Sequence, residues 1–271
     1  MKKILAITGA LALAVLAAPA FMAFEAHVVN VTATIENALT VPVEHITFGT
    51  VFPQEHLNKP LLVSLSQSFR AENRVDDVDY FIRQKPKCGI TTDNGTVLVP
   101  NSTATGHVFP GTVPVPTDPT HTYSQQNGYY VDCGVTPAEV TGQTFGMLPM
   151  LCPYISKHDD KTPDNDGSLN SFHQPFEIMQ GDNPATTGVT ETSWIKWNDT
   201  PGHLAKAQQD FDDNWTIDLA VPCFGGHCAQ DWKSFVFGIN PLANAADYVQ
   251  PLANEHKVFG CDLWVEVTDI Y

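Results

Sequence analysis

The chain has 271 residues, 30 of them acidic and 14 basic, for a formal net charge of −16. So acidic a surface repels nucleic acid and anionic lipid, and it favours solubility and cationic partners. With six cysteines, 18 Gly and 20 Pro, the composition suits a turn-rich exported protein whose thiols meet as disulfides.

The first element is a leader. Lys2 and Lys3 precede the apolar run "ILAITGALALAVLAAPA", and Ala18 and Ala20 offer an A-x-A site, with Ala23 as a second stop. The run is shorter than the ~20 apolar residues of a membrane span and holds Gly9 and Pro19. Residues 1–23 are therefore expected to be a signal peptide cleaved after Ala20 or Ala23. Membrane contact is then transient and the protein secreted, to the medium or the cell surface. Loss of Lys2 and Lys3 takes the charge to −18, since the leader holds no acid.

Residues 24–39, "FEAHVVNVTATIENAL", alternate with period two. Val29, Val31, Ala33 and Ile35 share one face of a strand, with Asn30, Thr32, Thr34 and Glu36 on the other. The same alternation predicts strands at 45–52, 61–69, 77–84, 214–221 and 258–271. Stretches 89–150 and 157–212 are rich in Gly, Pro, Thr and Asn and read as long decorated loops. Helix is minor, with "PGHLAKAQQDF" (201–211) the best short candidate. The fold class expected is all-β: a single jelly-roll-like antiparallel β-sandwich over 24–271, with insertions at 89–150 and 157–212.

Catalytic signatures are absent from the sequence. Acid–His pairs occur at Glu44–His45, Glu55–His56 and Glu255–His256, but no H-E-x-x-H places two histidines on one helix face. "SWIK" (193–196) matches S-x-x-K without its companion motifs. Asp164, Asp166 and Gly167 are spaced like part of a calcium loop. Thr162 and His173 would then hold positions that need acids, which leaves only a weak metal candidate. No cofactor is expected. Asn30, Asn94, Asn101, Asn198 and Asn214 begin N-x-[ST] sequons. In "VPCFGGHC", Gly225 and Gly226 let Cys223 and Cys228 meet as a disulfide. With His227 they would make a zinc site one ligand short. Six cysteines allow fifteen pairings, which spacing alone does not resolve.

The order of the leader and first strand, "ITFGTVFPQE" (46–55), "LCPYISKH" (151–158), "VPCFGGHCAQDW" (221–232) and "VFGCDLWVEVTDI" (258–270) resembles TasA/camelysin-type exported proteins, including relatives from uncultured bacteria with TasA-like signal peptides. The likeness covers both ends of the chain and little of the insertions. It implies a jelly-roll subunit of biofilm-matrix fibres whose partners are copies of itself, the strand of Val29, Val31, Ala33 and Ile35 completing the sheet of a neighbour. Two further disulfides are expected, Cys152–Cys261 and Cys88–Cys133. The alternatives are a glycan-binding module using Tyr123, Tyr129, Tyr130, Trp194 and Trp197, and a metallopeptidase, since camelysin-like proteins have been classed so.

Overall fold

The computed structural model describes residues 34–43, 45–92, 95–98, 105–113, 115–137, 143–158, 167–186 and 192–271, and Glu36–Tyr271 forms a compact unit. Its strands in chain order begin with β1 (Leu39–Thr40), β2 (His56–Leu65), β3 (Asp77–Pro86), β4 (Cys88–Thr91) and β5 (Val97–Leu98). Next come β6 (His107–Pro110), β7 (His121–Gln125), β8 (Tyr129–Val135), β9 (Thr144–Met147) and β10 (Ile155–His158). The last are β11 (Phe176–Gln180), β12 (Ser193–Trp197), β13 (Thr200–Ala205), β14 (Asp212–Ala220) and β15 (Cys261–Ile270). The protein is all-β, with antiparallel pairing throughout these strands.

Two sheets make the sandwich, one in the order β1-β2-β14-β10 and the other β13-β3-β15. Consecutive strands switch sheets, β2 to β3 and β13 to β14, which is the jelly-roll habit. Alternation decides which side chains meet between them. Leu61, Val63 and Leu65 of β2 and Trp215, Ile217 and Leu219 of β14 face Val78, Tyr80 and Ile82 of β3 in one core. The core also holds a polar knot: the Trp215 indole donates to the Tyr80 hydroxyl at 2.8 Å, and that hydroxyl donates to the buried Asp213 carboxylate.

Four expectations change. The strand expected over 61–69 ends at Leu65, because the Ser66 hydroxyl accepts from the Phe69 N–H at 3.1 Å and caps the short helix Gln67–Ala71. Residues 45–52 form no strand. The β1–β2 ladder stops after Leu39↔Leu65 and Thr40↔Ser64, two residues before Pro42, which has no N–H to donate. The segment 201–211 is strand β13 and the 3-10 turn Lys206–Gln208 rather than a helix. Pro201 and Gly202 disfavour helix, and Gly202 lets β13 lie against the Tyr80 ring. The clearest helix is Trp232–Ile239, which buries Trp232 and Val236.

The fourth change concerns the insertions. They are built rather than loose: β4 to β9, β11 and β12 form three small sheets around a second core of Cys88, Ile90, Val108, Val131, Cys133, Phe145 and Phe176. Short strands interrupted by Gly and Pro hide the alternation that betrays longer ones. Residues 157–212 also supply part of β10 and all of β13 to the main sandwich.

Three disulfides join Cys88 to Cys133, Cys152 to Cys261 and Cys223 to Cys228, the pairs named from the sequence, as suits an oxidising environment. Their sequence separations of 109 for Cys152–Cys261 and 5 for Cys223–Cys228 set unequal effects. By loop entropy, removing the first with paired Cys→Ala changes costs about 4–5 kcal/mol and removing the second about 2 kcal/mol. Urea unfolding of the two double variants checks this order; equal losses would contradict it.

Lys157 of β10 lies in the core, fully buried, and its ammonium nitrogen donates to the Ile82 carbonyl at 3.0 Å. Burial pushes it down to about 7, against a weaker upward pull from Asp199. A lysine with a depressed folded value binds fewer protons folded than unfolded, so stability rises as pH climbs from about 7 toward 10 and is lost as pH falls back. Lys157→Met should flatten that rise in urea titrations between pH 7 and 9.5. An unchanged slope would show that Lys157 is charged in the fold.

Candidate functional site

The candidate site lies at the edges of the sandwich's two sheets. Residues 167–169 tie two edges together: the Gly167 N–H donates to the Pro201 carbonyl of β13 at 3.0 Å, and Leu169 exchanges two 2.8 Å bonds with Lys157 of β10. That side of the sandwich is laced shut. The opposite side lies between β15 of one sheet and β2 of the other.

There the lacing is missing. Among the described residues no strand pairs with the outer edge of β15, whose backbone ladder runs to β3 on the inner side, and Gly260 just before it bonds to Pro149 and Leu151. Trp264, Val267, Ile270 and Tyr271 along it are 37–54 % exposed. On the β2 edge, only β1 pairs, at two positions. The chain from Val41 to Val51 packs Val41, Ile46, Phe48 and Val51 partly against the core. Yet among its described residues no backbone group bonds to another backbone group. Side chains fill the slot while backbone donors and acceptors at its rims stay open, which is the condition in which a sheet takes up another strand.

Of the strand residues proposed to fill such a slot, Val29, Val31 and Ala33 lie outside the described residues. Ile35 is 94 % exposed, and residues 34–37 carry no strand pairing and bury nothing. Within the compact unit, the Ala38 carbonyl accepts from the Ser66 N–H at 2.7 Å.

The other candidates are dispersed. Asp164 and Asp166 lie outside the described residues, and His173, the twelfth position of that loop, is buried against the Gln84 side chain at 2.6 Å. Ser193 is buried beside Thr112, while Lys196 reaches Glu177 at 3.7 Å. Three residues apart on a strand, Ser193 and Lys196 point to opposite faces and form no nucleophile–base pair. Of the aromatic set only Tyr130 is fully buried, and Tyr123, Tyr129, Trp194 and Trp197 are half-buried. Tyr130 is buried and stacks on Phe109, while Tyr129, Phe176 and Trp197 meet edge to face in the second core. The Arg83 guanidinium lies 5.2 Å from the Trp197 ring centre and pairs with Asp199 and Glu266. Sequence reasoning missed β15 as an edge, because alternation marks a strand's faces and is silent about its neighbours.

Among the described residues no helix is long and apolar enough to cross a membrane. Searches of family models, curated proteins and solved structures find no match to this chain.

Proposed function

We propose that the chain is a non-catalytic structural subunit of an extracellular or cell-surface fibre, assembled head-to-tail by donation of its N-terminal strand. The observation that carries the reading is that, among the described residues, no strand pairs the outer edge of β15 and residues 41–51 pack on the same core without a backbone ladder. A strand alternating as Val29, Val31, Ala33 and Ile35 do would bury an apolar face and satisfy the waiting backbone groups. Donor and acceptor are different surfaces, so the contact is heterologous and repeats without closing into a ring. The resemblance to TasA/camelysin-type proteins supports the same reading and its biofilm-matrix setting. The leader and three disulfides accord with export.

A synthetic peptide spanning residues 27–38 tests it. Added in excess to assembling protein, the peptide should occupy acceptor slots and slow fibre growth in a dose-dependent way, while a Val31→Asp peptide should not. Fibre growth indifferent to both peptides would remove the donor mechanism. Pure mature protein should leave casein intact; chelator-sensitive cleavage that tracks one histidine would point to an enzyme instead.

A further inference from the structure

The two ends of the sandwich differ in chemistry. At one end β14 stops at Ala220 and β15 starts at Cys261, with Ala220 beside His56 of β2 and Cys261 beside Pro86 of β3. The connection 221–260 builds that end and leaves Phe237, Leu242, Leu252 and Val258 exposed, Leu242 by 96 %. Exposed Phe52 joins them, because the turn after it is tied down by Gln54. The Gln54 N–H donates to the Val221 carbonyl at 3.0 Å, and its side-chain amide donates to Asp231 at 3.2 Å. Trp232, Phe237 and Ala243 line an apolar groove of about 350 Å³ there. Large apolar side chains gathered at one end of so acidic a chain mark a contact surface. At the other end β2 and β15 finish at Leu65 and Ile270 and β3 starts at Asp77. That end holds a cleft of about 430 Å³, lined by Arg70, Glu72, Arg74 and Asp76 and by Val75 and Tyr271.

We propose that the apolar end is the seat of a second copy of this chain, which rests its cleft end there while its donated strand runs antiparallel to β15. The proposal rests on the strand-donation reading and adds its direction. The donated apolar face ends at Ile35, and the Ala38 carbonyl is bonded to the Ser66 N–H at the donor's cleft end. Three residues span at most about 10–11 Å. The donor's cleft end must therefore lie against whichever end of the acceptor receives Ile35. Antiparallel pairing with β15 brings Ile35 to the Cys261 end, which is the apolar one. Parallel pairing would bring it to the Ile270 end, set two charged clefts face to face and leave Leu242 in water. Every ladder of the fold is antiparallel, and antiparallel pairing is the more stable per residue. The antiparallel arrangement also supplies an interface of the usual kind, Leu242 and Phe237 at its centre and the charged lining of the cleft as its rim. Apolar end meets cleft end at each joint, so the contact repeats along a fibre.

Two measurements on the full mature protein test the proposal. The peptide 27–38, with photoreactive p-benzoylphenylalanine in place of Glu36, is added in excess and irradiated. Cross-links should map to residues 52–54 and 259–263, and cross-links to Ile270 and Tyr271 instead would overturn the direction. Leu242→Asp should raise the critical concentration for fibre growth about tenfold or more, the effect of removing one large apolar side chain from a buried contact. The monomer's Tm should not change, since Leu242 is exposed there. Leu242→Met should grow as the parent does, and so should Val135→Asp, which alters an exposed apolar residue of β8, outside both ends. Fluorescent peptide 27–38 should bind Leu242→Asp and the parent equally. Unchanged growth of Leu242→Asp with the peptide still bound would overturn the seat and leave strand donation standing. A peptide that binds neither protein would remove donation, and the seat with it.

Discussion

Gly202→Ala is expected to destabilise the protein by about 3 kcal/mol, at the upper end of overpacking in a well-filled core. A Cβ added there would sit 2.2 Å from Tyr80 Cζ and 2.5 Å from its hydroxyl oxygen. Tyr80 has nowhere to go. It is 1 % exposed, its hydroxyl serves both Asp213 and Trp215, and its ring meets Trp215 edge to face. Relief must come from moving β13 off β3, which strains the register Gly202↔Tyr80 and its neighbours, or from breaking the polar knot and leaving Asp213 unpaired in the core. For a chain of this size the loss corresponds to a fall in Tm of about 6–12 °C. A calorimetric scan checks it. A fall under 2 °C would mean that β13 does not pack on Tyr80 as described.

The legibility of this fold in its sequence was uneven for physical reasons. β3, β14 and β15 each have one face in the core and one outside, so period two is written plainly in "DVDYFIRQ", "NWTIDLAV" and "CDLWVEV". The second core was hidden. Its strands are short, Gly106 and Gly111 are needed where backbone or side chains approach within 2.3–2.8 Å of a would-be Cβ, and such glycines make a packed layer look like loop. The helix Trp232–Ile239 was readable, since Trp232, Phe235, Val236 and Ile239 follow i, i+3, i+4, i+7. At eight residues it gave a weak signal beside the longer run at 201–211. For the candidate site, the sequence displayed the alternation of residues 29–35 but not the open edge, because an edge is defined by strands that are elsewhere in the chain.

Deleting residues 27–38 is expected to abolish polymerisation while leaving a folded β-rich monomer. The described part of that segment explains why the fold should survive. Residues 34–37 are exposed, and of the described residues the fold loses Ala38, with its partial packing on the core and its bond from Ser66, while Leu39 and Thr40 keep their pairing with β2. Val31→Asp makes the same point more sharply. On a strand docked in another subunit its carboxylate would be buried without a partner, a change costing several kcal/mol at each contact. Equal Tm values for the variant and the parent monomer, with fibre growth lost, are the expected pair of results.

Negative-stain microscopy of the mature protein beside the chain lacking residues 27–38, purified and concentrated identically, tests the central claim most directly. Strand donation predicts unbranched filaments from the first and none from the second, with both giving the circular dichroism of a folded β-protein. Filaments from both, or unfolded aggregates from the shortened chain, would contradict it.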